Sequence, residues 1–370
     1  MMKREYLNEN VYEALQRRLK FLFEEFDNIF VSFSGGKDSG LLLNLVLDFQ
    51  KAHYPDKRIG VFHQDFEAQY SATTEYVERT FTRIEKDVEP YWVCLPMATR
   101  TALSSYEMYW YPWDNTKEDA WVRPMPQHEY VINIKNNPMT TYRYRMHQED
   151  LAKQFGRWYR IAHGDKKTVC LLGIRADESL QRYSGFLNRK YGYKETCWIS
   201  NQFKNVWVAS PIYDWSTSDV WHANYTFQYD YNRLYDLYYM TGLKPEQMRV
   251  ASPFNDYAKD SLNLYRVIDP QIWVKLIGRV RGANFGAIYG KTKAMGYKNI
   301  TLPEGHTWES YTRFYWQHCR QGSGRAISKN SKPRLNSGIR WAADWKKKLS
   351  ASWRNTAIIS GATAFPITPS

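Results

Sequence analysis

Cysteine and histidine are scarce in this chain of 370 residues, which has four cysteines and eight histidines. No two cysteines form a Cys-x-x-Cys pair and the histidines are scattered, so the sequence shows no zinc site, iron–sulfur site or disulfide framework. A chain without such a framework suits a reducing compartment, and we expect the cytoplasm. The four cysteines are Cys94, Cys170, Cys197 and Cys319.

Long hydrophobic runs are also missing. No stretch approaches the roughly 18 apolar residues that a membrane span requires. The segment from Met1 to Phe26 is charged throughout and lacks the apolar core of a signal peptide. Hydrophobic residues make up 43% of the chain and charged residues 24%, which is typical of a globular protein. We therefore expect no membrane association, and one major domain with additions.

Acidic residues are nearly absent from one basic segment. The net charge is +13, and the stretch from Arg320 to Arg354 carries +9 of it, because its ten basic residues are opposed only by Asp344. Three tryptophans lie among them, a mixture that suits nucleic acid or another acidic partner. A solvated tail that aids solubility is the alternative. The candidate contacts are Arg340, Lys346, Lys347 and Lys348.

Strand and helix patterns alternate along the first part of the chain. This alternation predicts an α/β fold with a doubly wound, mostly parallel sheet, in which ligands bind beyond the carboxyl ends of the strands. The predicted strands are 28–33, 58–63, 90–95, 168–174 and 206–210. The predicted helices are 10–26, the run that ends near 53, and 70–84.

Composition also divides the chain into regions. Residues 1–225 form the predicted α/β domain, and an insertion at 97–145, rich in Trp, Tyr and Pro, covers the site or meets a partner. Residues 226–320 are predicted to be a helical domain, and 321–370 a basic tail.

A glycine-rich loop, Ser34–Ser39 with the sequence Ser-Gly-Gly-Lys-Asp-Ser, lies between the first predicted strand and a helix. The free amides and the positive dipole end of that helix form an anion site, and glycines let a phosphate approach the backbone closely. Lys37 adds a positive charge and the serines add hydroxyl donors. The loop is not a Walker A sequence, because Asp38 follows the lysine. An ordinary glycine turn that caps the helix is the alternative.

Two further motifs follow predicted strands. Asp65 and Glu67 come after the second strand, where carboxylates hold Mg²⁺ or a ribose, or cap the next helix. Arg175, two residues beyond Gly173, and Arg182 come after the fourth strand, where they can meet an α-phosphate or a second anionic substrate. An ion-paired turn, in which Arg175 binds a neighbouring acidic side chain, is the alternative there.

The loop sequence resembles the PP-loop of the ATP pyrophosphatase superfamily, whose members hold the β- and γ-phosphates of ATP and cleave between α and β. The motifs at Ser34, Asp65, Gly173 and Pro211 occur in the order of the phosphoadenosine phosphosulfate (PAPS) reductase-like family, a resemblance that covers about residues 25–225. The stretch around 278–286 and 305–308 is similar to the IbrA-like proteins, which are described as regulators and often encoded beside a ParB-like protein.

One departure from that family concerns its chemistry. Sulfonucleotide reductases carry a nucleophilic cysteine in a Glu-Cys-Gly-Leu-His motif. Here Cys319 stands in Gln-His-Cys-Arg, without that context. The resemblance therefore implies nucleotide binding and disfavours reductase activity, since reduction of PAPS requires a thiolate.

The sequence thus favours an enzyme that binds ATP with Mg²⁺, cleaves it to AMP and pyrophosphate, and activates an unknown acceptor together with a partner protein. The alternatives are a nucleotide-sensing subunit that acts with a ParB-like DNA-binding partner without fast turnover, and a reductase. The sequence is also compatible with a homo-oligomer. The predicted nucleotide-binding residues are Ser34, Gly35, Gly36, Lys37, Ser39, Asp65 and Gly173. The predicted catalytic residues are Lys37, Asp38, Arg175 and Arg182, and the predicted Mg²⁺ ligands are Asp38 and Asp65.

Overall fold

A computed structural model describes residues 8–104, 107–187, 192–256, 258–289, 304–307 and 310. The chain divides into two compact units, 1–297 and 298–370. Residues 226–289 belong to the same unit as 1–225. In the second unit, Thr307 and Ser310 cap one another through two hydrogen bonds of 2.9 and 3.2 Å. The predicted basic tail lies outside the described residues.

A seven-stranded sheet forms the centre of the first unit, in the order β6-β3-β2-β1-β8-β10-β9. All neighbours pair in parallel except β10 and β9. Three shorter strands form a second sheet, β5-β4-β7. The strands are β1 Asn28–Ser32, β2 Gly60–Gln64, β3 Glu89–Val93, β4 Met97–Arg100, β5 Tyr109–Trp110, β6 Val131–Ile132, β7 Met146–His147, β8 Thr168–Leu172, β9 Ile199–Phe203 and β10 Val206–Ala209.

Helices cover both faces of the large sheet, so the predicted doubly wound, mostly parallel α/β fold is confirmed. The described helices are α1 Val11–Glu25, α2 Lys37–His53, α3 Ser71–Ile84, α4 Gln148–Ala162, α5 Leu180–Leu187, α6 Thr217–Thr226, α7 Leu234–Met240, α8 Tyr265–Ile268, α9 Pro270–Arg279 and α10 Ala283–Tyr289. The described part of 226–289 contains helices and no strand.

Alternating side chains of the central strand divide the core into two layers. Ile29 and Val31 of β1 pack with α1, α2 and α3 on one face. Phe30 points to the other face, where it packs against α4. There the ring of Phe62 stacks on that of Phe155, with centroids 4.2 Å apart. Because β1 is buried on both faces, its carboxyl end is held rigidly at the edge of the sheet where ligands bind.

The helical region beyond the sheet packs on the start of α3 and on the aromatic-rich insertion. Tyr70, which precedes α3, stacks on Tyr265 of α8 with centroids 3.5 Å apart. Phe254 meets Trp110 of β5 edge to face at 5.0 Å. Residues far apart in sequence are thereby brought over the carboxyl ends of the strands.

Candidate functional site

The glycine-rich loop connects β1 to α2, and its backbone can be formed only with glycine at one position. Gly35 has a φ of +77°, a region that side chains other than glycine rarely adopt. A Cβ atom there would also lie 2.9 Å from a methyl carbon of Val77. Gly36 is the N-cap of α2 and no side chain caps the helix. Because Gly36 has no side chain, the loop supplies no capping group for the first backbone amides of α2.

The two serines of the loop hold its shape. The hydroxyl oxygens of Ser34 and Ser39 lie 2.9 Å apart, and Ser39 donates to the carbonyl of Gly36 at 3.1 Å. The Ser34 amide donates to the Ser39 hydroxyl at 3.2 Å. These bonds position the loop before any ligand binds, which lowers the ordering cost of binding.

Three charged side chains meet at the start of α2. The Lys37 ammonium lies 2.9 Å from Asp38 Oδ2, and Arg175 donates from Nε to Asp38 Oδ1 at 2.6 Å. Arg175 is only 2% exposed and also donates to the carbonyl of Trp215 and the hydroxyl of Thr217, both at 3.2 Å. Arg175 also lies 3.9 Å from Asp177, so these cations are paired with carboxylates. Four cations and three carboxylates line the cleft as a whole, which leaves one net positive charge to attract an anion: Lys37, Arg175, Arg182 and Arg249 against Asp38, Asp177 and Glu178.

Gly173 brings the end of β8 against the start of α2. The register of β1 and β8 pairs Ser32 with Leu172, so the two strands end side by side. A Cβ atom on Gly173 would lie 2.8 Å from backbone atoms of Asp38 and Ser39. Because real Cβ contacts this short essentially do not occur, only glycine permits this approach.

A cleft of about 820 Å³ opens beside the loop. It is large enough for a nucleotide, since ligand pockets typically measure about 300–1,000 Å³. The predicted site residues that line it are Ser34, Gly36, Lys37, Asp38, Ser39, Gly173, Arg175 and Arg182. Gly35 shapes the loop behind the cleft and does not line it. The structure thus brings two separate sequence motifs to one surface.

Arg182 lies on the outer wall of the cleft, on α5. It forms an ion pair with Glu178, and 41% of its side chain is exposed. Glu178 also accepts the backbone amide of Arg175 at 3.1 Å, and its carbonyl accepts from Arg249 at 3.0 Å. The ion-paired turn that the alternative predicted is present in a different place, since Arg175 Nη1 lies 3.9 Å from Asp177 Oδ2. Arg175 and Arg182 nevertheless both line the cleft.

Sequence reasoning missed the part of the cleft that lies beyond residue 225. Tyr235 of α7 lines it, as do Met248, Arg249 and Val250. The Lys37 amide donates to the Tyr235 hydroxyl at 3.0 Å. A tyrosine-rich stretch at 229–239 was the only signal in the sequence, and tyrosine content alone does not indicate a ligand site.

Asp65, in contrast, is buried in the core. It accepts hydrogen bonds from Trp92 Nε1 at 2.6 Å and from the Glu67 amide at 2.7 Å, and it forms an ion pair with Arg123. Burial acts to raise the pKa of Asp65, but the charge of Arg123 and these hydrogen bonds outweigh it and hold that pKa below its ordinary value. Asp65 does not line the cleft, so the structure does not place it where a nucleotide or its Mg²⁺ would bind.

Glu67 is fully buried as well and joins three parts of the chain. Its two oxygens accept from the amides of Trp113 and Val122 at 2.7 and 2.9 Å. The guanidinium of Arg279 at the end of α9 binds both oxygens, at 2.7 and 2.9 Å. The acidic pair after β2 therefore anchors the insertion and the helical region to the sheet.

A Mg²⁺ ion finds few protein ligands in this cleft. Among the described residues, no group of three or more His, Cys, Asp and Glu side chains could hold a metal ion. Asp38 is the one predicted Mg²⁺ ligand that lines the cleft, and both of its oxygens already bind cationic side chains. Since Mg²⁺ is usually bound by one or two carboxylates together with phosphates, these residues fit the ion only when a nucleotide carries it.

No thiol lines the cleft in the described part of the chain. Cys94 and Cys170 are buried, and burial raises the pKa of both thiols. Cys197 is half-buried and lies elsewhere. Cys319 lies outside the described residues. Among the helices that the structure describes, none is both long and apolar enough to span a bilayer.

Comparisons with known proteins show which family the chain resembles. Residues 28–241, more than half of the chain, match the family model of the phosphoadenosine phosphosulfate reductase domain, and residues 242–344 match DUF3440, a domain of unknown function. The uncharacterized protein YbdN of Escherichia coli (strain K12) is 33% identical over 311 residues, 82% of this chain and 73% of that protein.

Two solved structures also resemble the chain. PAPS reductase from Candida auris, in a phosphate complex, shares 12% identity with a TM-score of 0.35 and covers 68% of this chain and 97% of its own. The U34-tRNA thiolase NcsA from Methanococcus maripaludis shares 11% identity with a TM-score of 0.36. That match covers 79% of this chain and 81% of the thiolase chain.

Proposed function

This chain belongs to the phosphoadenosine phosphosulfate reductase domain family, and on that premise we propose that it binds ATP in the cleft beside α2. The loop holds the β- and γ-phosphates, and the chain cleaves ATP between the α- and β-phosphates to give AMP and pyrophosphate. In this step a nucleophilic atom of the acceptor, or of water, bonds to the α-phosphorus, the bond from the α-phosphorus to the bridging oxygen breaks, and pyrophosphate leaves, so the product is the adenylated acceptor or free AMP.

The observation that carries this proposal is the loop itself, with its positive-φ glycine, uncapped helix start and buried Lys37. Such a helix N-terminus at the carboxyl edge of a parallel sheet stabilises phosphate through its amides and dipole. Lys37, only 7% exposed, is directed into the cleft and can leave Asp38 for a phosphate oxygen. A hydrogen bond from an ammonium to a phosphate oxygen is charge-assisted and therefore among the stronger ones in proteins.

The remaining charged groups support displacement at the α-phosphorus. Phosphoryl and nucleotidyl transfers depend mainly on positioning and on neutralising charge that develops in the transition state. Arg175 is held by four partners, which are Asp38, Asp177, the Trp215 carbonyl and the Thr217 hydroxyl. Arg182, paired with Glu178, also lines the cleft. Mg²⁺, carried by the nucleotide and in reach of Asp38, would neutralise charge on the departing pyrophosphate.

A reductase is disfavoured for a chemical reason. Attack on a sulfonucleotide needs a thiolate at the reacting sulfur, and the described part of the cleft has no cysteine. The regulatory alternative differs from the enzyme only in turnover, so a product measurement separates the two.

The proposal includes an acidic partner. The basic segment 321–370, with Arg340, Lys346, Lys347 and Lys348, is predicted to bind nucleic acid or a ParB-like partner protein. Such binding would weaken steeply as salt rises, because each neutralised phosphate releases counterions. A chain truncated after Gly322 should lose this binding and keep its affinity for ATP.

The deciding experiment incubates full-length protein with Mg²⁺ and ATP, with and without DNA, in parallel reactions labelled at the α-phosphate and at the γ-phosphate, and separates the products. Equal amounts of AMP, free or linked to an acceptor, and pyrophosphate support the proposal. ADP and phosphate as products contradict it. Binding without products supports the sensing alternative. The Lys37→Ala variant is the control for activity from a contaminating protein.

A further inference from the structure

Two side chains from a distant segment bind the phosphate loop. Asn232 is fully buried and donates from Nδ2 to the carbonyl of Gly35 at 2.9 Å and to the hydroxyl of Thr73 at 3.0 Å. Its Oδ1 accepts the amide of Leu234 at 2.9 Å, which fixes the start of α7. The segment is therefore attached rigidly to the loop, and side chains of α7 keep a constant position relative to it.

Tyr235, the second of these side chains, is 4% exposed and lines the cleft. Its hydroxyl accepts the amide of Lys37 at 3.0 Å. A Cβ atom on Gly36 would lie 3.5 Å from this hydroxyl, so the oxygen sits directly over the loop. The Lys37 ammonium lies 5.5 Å from the centre of the same ring. The backbone amides at the start of α2 are the groups that attract an anion, and the Tyr235 hydroxyl occupies one of them, the amide of Lys37.

The hydroxyl has a hydrogen of its own to donate. Burial raises the pKa of Tyr235, so the group is protonated at any physiological pH. A tyrosine hydroxyl that accepts one hydrogen bond can still donate one. In the part of the chain that the structure describes, the amide of Lys37 is its one hydrogen-bond partner, and no protein acceptor takes the hydroxyl hydrogen.

We propose that the Tyr235 hydroxyl is a phosphate-binding group of this cleft, which accepts the Lys37 amide and donates to an oxygen of the phosphates that the loop holds. This inference rests on the proposed function. The amide polarises the hydroxyl and strengthens its bond to the anion, because hydrogen bonds in a chain reinforce one another. Tyr235 therefore adds selectivity for the pyrophosphate part of the nucleotide, and it comes from outside the loop motif.

A purely structural role is the competing explanation. Tyr235 packs in the cluster that joins the helical region to the sheet, and it meets Trp221 edge to face at 5.4 Å. The Tyr235→Phe variant separates the two explanations, because it keeps the ring and removes one oxygen. Tyr238→Phe is a matched control, since Tyr238 is also 4% exposed on α7 and its hydroxyl contacts the carbonyl of Arg249 at 3.4 Å instead of the loop.

The test is calorimetric titration of the full-length wild type and both variants with inorganic pyrophosphate, ATP–Mg²⁺ and AMP, below the melting temperature of each protein. A hydrogen bond to a charged group predicts that Tyr235→Phe weakens pyrophosphate and ATP binding about 10-fold or more. AMP binding should stay within about 2-fold, and Tyr238→Phe should match the wild type.

Each outcome decides between the claims. Wild-type affinity for pyrophosphate in Tyr235→Phe would overturn this inference and leave the proposed function intact. Equal weakening of pyrophosphate and AMP would assign the tyrosine a structural role and also overturn it. If the wild type binds neither ATP nor pyrophosphate, the proposed function fails, and the inference fails with it.

Discussion

Gly173 offers a sharp test of how the cleft is built, because a single methyl group should disturb it. In Gly173→Ala, the new Cβ would lie 2.8 Å from the carbonyl carbon and oxygen of Asp38 and from the amide nitrogen of Ser39. Ordinary contacts begin at 3.4 Å, so α2 and β8 must separate by about 0.6 Å, the difference between the two distances. Backbone atoms cannot rotate away as a side chain can.

The size of the effect follows from this overlap. Overpacking a well-packed site costs about 1–3 kcal/mol of unfolding free energy. The shift also moves the first turn of α2, whose amides would bind the phosphates, and loss of one hydrogen bond to a charged group costs about 1.5–3 kcal/mol. We therefore expect ATP affinity to fall about 10-fold or more. Urea unfolding and calorimetric titration with ATP–Mg²⁺ measure the two effects.

The matched control is Gly278→Ala in α9, where a Cβ atom would meet nothing within 4 Å. Alanine is favoured over glycine within a helix by about 1 kcal/mol, so this variant should be as stable as the wild type or more stable, with unchanged affinity. If Gly173→Ala behaves like the control in both assays, the close approach of β8 to the loop does not exist in solution and the reasoning is refuted.

Three further predictions follow from buried charges and from the missing thiol. Arg279→Ala should lower the unfolding free energy by about 3–5 kcal/mol, because it leaves Glu67 buried without its partner; unchanged urea denaturation would contradict this. The lowered pKa of Asp65 contributes stability that is fully present above the ordinary aspartate pKa of about 4 and is lost as the pH falls through the folded-state value. Unfolding measured from pH 6 to pH 2 should therefore depend less on pH in Asp65→Asn. Cys319→Ser should leave nucleotide turnover intact, and loss of turnover in a folded variant would revive the reductase.

The fold was predictable where local patterns are strong. The buried run at 28–33 and the glycine loop after it specify β1 and the start of α2 without long-range information. The antiparallel edge strand β9 was missed, because its sequence Ile-Ser-Asn-Gln-Phe has polar, half-exposed positions and no strong strand pattern. The helix α4 was missed too, although its side chains pack on the face of the sheet to which Phe30 points.

Predictions for the site depended on how near the partners are in sequence. The loop and the Gly173 motif are local, and both line the cleft. Asp65 was assigned to ligand binding because it follows the second predicted strand. Its structural role could not be foreseen, since its partner Arg123 lies 58 residues away. Tyr235 lies 198 residues from Lys37, so only the folded chain shows that it joins the loop.

The most direct test of the central claim is calorimetric titration of the full-length protein with ATP–Mg²⁺, in the wild type and in Lys37→Ala. The variant is expected to stay folded, because Asp38 keeps its ion pair with Arg175 when Lys37 is removed, and a thermal melt of each protein checks this. We predict that the wild type binds ATP and that the variant binds it about 10- to 100-fold more weakly. Equal affinity in the two proteins, or no binding by a folded wild type, would contradict the assignment of the loop as a phosphate site.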